Sequence, residues 1–470
     1  MIGVGCQVLA LTCHLIPETR HLPMYFIYSI LLSFAFIALL PYFLYQAFSN
    51  QKYLSNFSER LGKLPESFLE NLRPTIWIHA VSVGETIAAQ TLVKSLRERF
   101  PKHRLIFSTT TATGQAVARS RITDADAFCY FPFDWKFSVR KSLRIIRPSI
   151  VILMESELWP NFLHECKKQK ISVIVANGRV SDRSFKRSMK FAFWFRKMTA
   201  NVTTFLMQSE ADAKRILALG AKPSNVIVTG NIKYDIKGGI GVPPVLTSLS
   251  ADLALNGTPL IIAGSTTDGE EEIILAAYLE LKKKSGLENT RLMIAPRHPE
   301  RFDAVAKLLD SAHLKFVRRS VLAHQVEVIG NQKFTQFVND SIQKSEVILL
   351  DSIGELASLY RFASVVFVGG SLVPKGGHNI LEPAFEGRPV IVGPHMENFR
   401  EITEEFKRRD AVLQLQGTND NELSAALCEA MTELLQSPED AENLGAKARE
   451  AVEANRGATA KTLEVIASLI

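Results

Sequence analysis

Residues 75–100 read TIWIHAVSVGETIAAQTLVKSLRERF. An apolar run, TIWIHAVS, gives way at Ser82 and Gly84 to a stretch whose apolar residues recur at helical spacing. A buried strand running straight into a helix is the repeating unit of an α/β fold.

The same grammar continues on the C-terminal side. RLIFSTT (104–110) predicts the next strand and TGQAVARSR (113–121) the next helix. SIVILMESE (149–157), ISVIVANGR (171–179), TTFLMQSE (203–210) and NVIVTGNI (225–232) then predict buried strands with helices between them. Continuous Val/Ile runs alternating with helices indicate a parallel sheet covered on both faces. A stretch rich in Gly, Pro and Ser then interrupts the rhythm and reads as a linker at 236–258. The alternation restarts with PLIIAGS (259–265), RLMIAPRH (291–298), VEVIG (326–330), EVILLDS (346–352), SVVFVGG (364–370) and RPVIVGP (388–394). The sequence therefore predicts an α/β protein with two Rossmann-like, doubly wound domains facing a cleft, at 51–235 and 259–470, preceded by an extension and anchor at 1–50. No strand runs into GxGxxG and no P-loop is present, which argues against a nicotinamide or ATP enzyme.

With 470 residues the chain is too long for one core, and 22% charged against 47% hydrophobic residues marks an ordered globular protein. A net charge of +7 favours anionic partners. The five cysteines are odd in number and show no CxxC spacing, so neither a disulfide framework nor a zinc site is expected. From 24 to 48 the chain carries no charge (MYFIYSILLSFAFIALLPYFLYQAF), with Tyr25, Tyr28, Tyr42 and Tyr45 towards its ends. At about 1.5 Å per residue this stretch can cross a hydrocarbon core, so it predicts a membrane-anchor helix. Lys52, Arg60 and Lys63 follow it and only Arg20 precedes it, which places the C-terminal body in the cytoplasm.

In the first half, HAVSVGE sets Ser82, Gly84 and Glu85 at a strand-to-helix turn. A carboxylate there suits a general base, and it equally suits a partner for the helix dipole. MESELWPN places Glu155 at a strand end with Glu157 two residues on, and GNIKYD places Lys233 at another strand end. From 178 to 197 runs GRVSDRSFKRSMKFAFWFRK, whose Arg179, Arg183, Lys186, Arg187 and Lys190 interleave with aromatics. That composition suits an anionic membrane or a phosphorylated lipid, and no nucleic-acid-binding signature accompanies it. Asp124 and Asp126 have DxD spacing but read as a loop, so no metal site is expected.

In the second half, AGSTTDGEEE puts Gly264, Ser265 and Thr266 before a helix N-terminus, a ready anion site. APRHP puts Arg297 and His298 at a strand end, where arginine suits phosphate. DSIGEL supplies Gly354 and Glu355, and GGSLVPKGGHNILEPAFEG supplies Gly376 and Gly377, then Asn379 as an N-cap with Glu382 three residues on. Such loops offer what a nucleotide needs: backbone donors for phosphate, a carboxylate for ribose, small residues for close approach.

Taken in order, SVGE, MESELWPN, GNIKYD, PRHP, IGEL and GGHNILEP resemble the Kdo transferases, GT-B enzymes that move 3-deoxy-D-manno-octulosonic acid (Kdo) from CMP-Kdo to a lipid A precursor. The resemblance runs from about Met24 to the C-terminus. It implies an acceptor domain at 51–235 and a donor domain at 259–470. It further implies Glu85 as catalytic base, Glu155 and Lys233 as transition-state stabilisers, and a CMP pocket of Pro296, Arg297, Ile353, Gly354, Glu355, Asn379, Ile380, Leu381 and Glu382. No cofactor or metal is implied. The implied partners are CMP-Kdo, the lipid acceptor and the cytoplasmic leaflet of a bacterial inner membrane.

Overall fold

The computed structural model describes residues 24–49, 57–65, 68, 73–235, 258–321 and 344–470, and for 40–49 the backbone only. The chain forms two compact units, one of Met1–Asp235 with Arg456–Ile470, the other of Ile236–Asn455. The linker expected at 236–258 and the strand expected at 326–330 lie outside the described residues, apart from position 258.

The first unit is built on a sheet of β1 (Thr75–Ala80), β2 (Arg104–Thr109), β3 (Ala127–Tyr130), β4 (Pro148–Met154), β5 (Ser172–Gly178), β6 (Thr204–Met207) and β7 (Val226–Val228). Their order is β3-β2-β1-β4-β5-β6-β7, with every pairing parallel. Alternate residues of each strand enter opposite cores. Ile76, Ile78, Ile150 and Ile152 pack on one face, and Trp77, Val151 and Leu153 pack on the other. All seven are wholly buried, each stabilising the fold by roughly 1.5–3 kcal/mol. Helix α1 (Met24–Ser49) precedes the sheet, α2 (Val83–Arg99) follows β1, α3 (Pro160–Lys168) follows β4, and α4 (Asp182–Met189) and α5 (Ala192–Thr199) follow β5.

The second unit repeats the design with β8 (Leu260–Thr266), β9 (Arg291–Pro296), β10 (Phe316–Arg318), β11 (Val347–Leu349), β12 (Val365–Val368), β13 (Val390–Val392) and β14 (Leu413–Gln414). The order is β10-β11-β9-β8-β12-β13-β14, again all parallel. Helix α6 (Glu271–Leu281) follows β8 and the short α7 (Leu381–Phe385) follows β12. In each sheet the winding reverses at one place, between β1 and β4 and between β8 and β12. The loops leaving the two strands there diverge and open a crevice, where doubly wound sheets bind ligands.

Two features depart from the sequence reading. The last helix, α8 (Ala458–Leu469), folds with the first unit, so the second does not extend to 470. Ala458 and Ile466 enter the first unit's core beside Ile232. No side chain of α8 caps its start; Asp235 does, accepting from the Gly457 N–H at 2.6 Å and the Thr459 N–H at 2.5 Å. The second departure concerns α1. It is helical as expected, yet no helix among the described residues is long and apolar enough to cross a membrane. One face of α1 docks on the first unit: Tyr28 is buried, Tyr25 stacks on His164 at 4.1 Å, and the Trp135 indole donates to Ser33 Oγ at 3.1 Å. The other face exposes a stripe of Phe26, Ile30, Phe34 and Ile37.

Since Asp235 supplies a cap that α8 lacks, Asp235→Ala should cost about 0.5–2 kcal/mol. Urea denaturation followed by Trp fluorescence reports it. An unchanged midpoint would mean that α8 is held by packing alone.

Candidate active site

Glu85 sits in the first turn of α2. Ser82 caps that helix in extended backbone, and its hydroxyl accepts the Glu85 N–H at 3.2 Å. The Glu85 side chain folds back over the same turn: Oε2 accepts the Val81 N–H at 2.8 Å and Oε1 accepts the Ser82 hydroxyl at 3.0 Å. This is a capping arrangement, and it pins the carboxylate at the carboxyl end of β1. The group is nonetheless buried, and burial first, then the Glu155 charge, push its pKa up to about 8, against the Val81 N–H and with a smaller push from Glu157.

Glu155 leaves β4, on the other side of the reversal. Its φ of 57° is left-handed, a region that favours glycine, so the backbone is held there by its surroundings. The Glu155 N–H donates to the Ala176 carbonyl at 2.9 Å, and its carboxylate lies 3.9 Å from Lys233 Nζ. Lys233 sits in a one-turn helix, Ile232–Tyr234, that is fixed on both sides. Asn177 Oδ1 accepts the Ile232 N–H at 3.0 Å, and Asn231 Oδ1 accepts the Lys233 N–H at 3.0 Å. Burial, then Glu155, also raises Glu157, to about 7.

A cavity of about 390 Å³ opens on these groups. Ser82, Glu85, Glu155 and Glu157 line it together with Arg179, Arg183 and Arg187, above apolar walls that include Val175, Phe205 and Met207. Arg183 and Arg187 lie four residues apart in α4 and so share a face. Lys186 and Lys190 do not line the cavity and are exposed. The expected basic-aromatic segment is thus two helices, α4 and α5, one of whose faces supplies arginine to the acidic cluster. Asp126 takes the Leu105 N–H at 2.7 Å and pairs with Arg97 and Arg73 at 2.5 and 3.2 Å, consistent with the loop reading of DxD. Among the described residues no group of His, Cys, Asp and Glu could hold a metal ion.

In the second unit, Arg297 and Asn379 to Glu382 lie near the β8/β12 reversal, while Ile353 to Glu355 follow β11 beyond β9. The Arg297 N–H donates to the Thr266 carbonyl at 2.9 Å, joining the ends of β9 and β8. Asn379 Oδ1 accepts the Leu381 N–H at 3.1 Å while its amide donates to Glu382 at 3.1 Å; the N-cap of this five-residue helix is Ile380, not the expected Asn379, whose side chain instead braces the turn just before it. Tyr360 is wholly buried under this group, with the charges of Glu382 and Arg297 acting on it. Gly264 has to be glycine, because a Cβ there would lie 2.2 Å from the Tyr360 hydroxyl. Burial, followed by Arg297 and His298, lowers His378 to about 4, so it stays neutral. In the turn after β11, the strand beside β9, Gly354 takes φ 93°, Ile353 is exposed, and Glu355 pairs with Arg319 at 2.7 Å and with the Ser352 hydroxyl.

Sequence reasoning did not find Asn177, Arg319, Tyr360 or Glu270. The first three sit where a strand or a short helix ends, among residues with no local pattern. Glu270 was in view only as one of three acids opening α6.

The chain is similar to one family model and to three known proteins. Residues 55–236 match the family model described as 3-deoxy-D-manno-octulosonic-acid transferase (kdotransferase). The 3-deoxy-D-manno-octulosonic acid transferase of Haemophilus influenzae is 37% identical over 83% of this chain and 86% of its own. The C-terminal CMP-Kdo binding domain of WaaA from Acinetobacter baumannii is 32% identical, covering 44% of this chain and 97% of its own, with a TM-score of 0.37. UDP-GlcNAc 2-epimerase from Neisseria meningitidis, at 14% identity, covers 84% of this chain and 100% of its own with a TM-score of 0.50, a likeness of fold alone.

The raised Glu85 pKa has a signed consequence for stability. Unfolded, this carboxyl ionises near 4.5; folded, it holds its proton to about 8. Between those values the native state binds the extra proton, so stability falls as pH rises and levels off above 8. Wild type minus Glu85→Gln, measured by urea unfolding across that range, should decline with pH. A flat difference would mean that Glu85 is solvated.

Proposed function

Because the chain belongs to the 3-deoxy-D-manno-octulosonic acid transferase family, we infer that it transfers Kdo from CMP-Kdo in lipopolysaccharide core biosynthesis. We propose further that the acceptor is a lipid A precursor, and that Glu85 is the base that activates its hydroxyl. The observation that carries this reading is the position of Glu85: pinned by two hydrogen bonds, buried, and raised to about 8 inside a cavity lined by arginines. A base whose pKa lies near working pH accepts a proton more readily than an ordinary carboxylate, once ionised.

In this mechanism the acceptor oxygen bonds to C2 of Kdo as the bond from C2 to the phosphate oxygen breaks, in one inverting displacement. The hydroxyl proton passes to Glu85 and CMP leaves. Lys233, held by Asn177 and Asn231 beside Glu155, counters negative charge near the reacting carbon. Arg183 and Arg187 suit a phosphorylated acceptor, since a guanidinium binds phosphate in two-point fashion. Arg297, with the 379–382 turn, receives CMP and the charge developing on its phosphate.

The apolar stripe of α1 supports a surface association with the cytoplasmic leaflet of a bacterial inner membrane, with both units in the cytoplasm. Replacing Phe34 and Ile37 together by Ser should reduce flotation with anionic liposomes and leave CMP binding intact. Undiminished flotation would remove α1 from membrane contact.

Incubation with CMP-Kdo generated in situ and a tetra-acylated lipid A precursor should yield a product heavier by Kdo. Glu85→Gln should lower turnover by about 10²–10⁴ with CMP affinity little changed. Wild-type kcat/KM should rise with pH until Glu85 is ionised. Near-normal turnover by Glu85→Gln would pass the role of base to Glu155. Binding without transfer would favour a scaffold, and transfer from a UDP-sugar instead would favour another GT-B activity.

A further inference from the structure

Glu270 precedes α6 and could pass for an acid complementing the helix dipole. Its carboxylate does something else. Oε2 accepts the Thr267 N–H at 2.9 Å, the Thr267 hydroxyl at 3.0 Å and the Gly370 N–H at 2.6 Å. Oε1 accepts the Ser371 and Leu372 N–H groups, each at 2.9 Å. The side chain is wholly buried. Three successive amides of one turn thus converge on a single carboxylate, the concave arrangement that elsewhere binds a free anion. Here the anion belongs to the chain.

The turn so held is the one that leaves β12, whereas Glu270 leaves β8, and these strands flank the reversal of the second sheet. The two loops touch closely. The Gly369 N–H donates to the Gly264 carbonyl at 2.8 Å, and a Cβ on Gly369 would lie 2.5 Å from the Ser265 carbonyl oxygen and 2.9 Å from Glu270 Oε2. From the held turn the chain runs on without slack. The Gly377 N–H donates to the Gly370 carbonyl at 2.7 Å, and the His378 ring lies where a Cβ on Gly370 would come within 2.8 Å. The next residues are Asn379 to Glu382.

We propose that Glu270 is a positioning residue for donor binding: its carboxylate fills the 370–372 amide nest and thereby sets the 369–382 loop beside Arg297. It touches no substrate. Neutral glutamine has the same size but offers one acceptor oxygen and an NH₂ that opposes the amides, so the nest should loosen. The proposal rests on the reading that Arg297 and Asn379–Glu382 receive CMP.

The test uses full-length protein carrying Glu270→Gln, with CMP binding by calorimetry, donor KM and kcat, and hydrogen exchange by mass spectrometry. Amides in 369–379 should exchange faster while β9 stays protected, and CMP should bind about tenfold more weakly. Donor KM should rise by more than kcat falls, because the reacting groups of the first unit are untouched. In Glu270→Ala, formate should restore part of the CMP affinity by refilling the nest, and equal chloride should not. Unchanged CMP affinity in folded Glu270→Gln overturns the proposal, as does an equal fall of kcat with KM unmoved. If Glu270→Gln fails to fold, Thr267→Val, which removes one donor and keeps the carboxylate, decides the matter: a smaller loss of CMP affinity supports it and none overturns it. Arg297→Ala separates the two readings. If it too leaves CMP affinity unchanged, the donor site itself is misassigned; if it weakens CMP while Glu270→Gln does not, only the positioning role falls.

Discussion

Parallel strands hydrogen-bond to neighbours on both edges and, in this chain, are covered on both faces, so Ile76, Trp77, Ile150 and Val151 have nowhere to meet a ligand. Only the carboxyl ends of the strands remain, and only where the winding reverses do two of those ends part to leave a crevice. The rest of the chemistry follows from that restriction. Glu85 and Glu155 leave β1 and β4, and the 264–270 and 369–382 loops leave β8 and β12. The cores thus set the address of the site before any functional side chain is chosen.

A second regularity is the use of carboxylates to gather backbone N–H groups. Asp235 holds two at the start of α8. Asp134 holds the Asn161 and Phe162 N–H groups at 3.0 and 2.7 Å, serving α3, whose own N-cap Trp159 makes no side-chain cap bond. Glu270 holds four N–H groups and a hydroxyl. Left unsatisfied, the buried carboxylates of Asp134 and Glu270 would cost several kcal/mol, so each of these two ties its loop to one geometry. Asp134 also reaches α1, through a hydrogen bond with Tyr28, while the Asn161 amide of the MESELWPN segment donates to the neighbouring Ser29 Oγ at 3.0 Å.

How much of this was legible in the sequence depends on whether the signal was local. The buried strands declared themselves as Val/Ile runs, because burial on both faces leaves no room for alternation. Strand β10 did not: Phe316–Arg318 is three residues long, half-buried at an edge, and followed by a second arginine. The return of α8 was also unreadable, since its partners are Asp235 and Ile232, more than two hundred positions away. The same holds for Glu270. GEEE is an ordinary opening for a helix, and only the fold brings Gly370 to it. Within the first half, the sequence named Glu85, Glu155, Arg179, Arg183 and Arg187, which line one cavity, but placed Lys186 and Lys190 with them because composition cannot resolve which side of α4 faces inward.

Two readings of Glu85 stood as alternatives in the sequence, a partner for the helix dipole or a base. The geometry shows a cap that leaves the proposed role of base open to the same carboxylate. The hydrogen bonds from Val81 and Ser82 that satisfy a cap also hold the carboxylate in a single rotamer, which a solvated side chain on a loop would lack. Those bonds favour the ionised form, yet burial and the nearby Glu155 and Glu157 charges outweigh them and carry the pKa to about 8. Had the cap been exposed, the same two bonds would have lowered the pKa and left a fixed but weak base. Had the group been buried without them, it would have been strong but free to turn away. Fixity comes from the helix terminus, and the raised pKa comes first from burial and then from the Glu155 and Glu157 charges at the strand ends, so both properties belong to the β1/β4 reversal rather than to one residue.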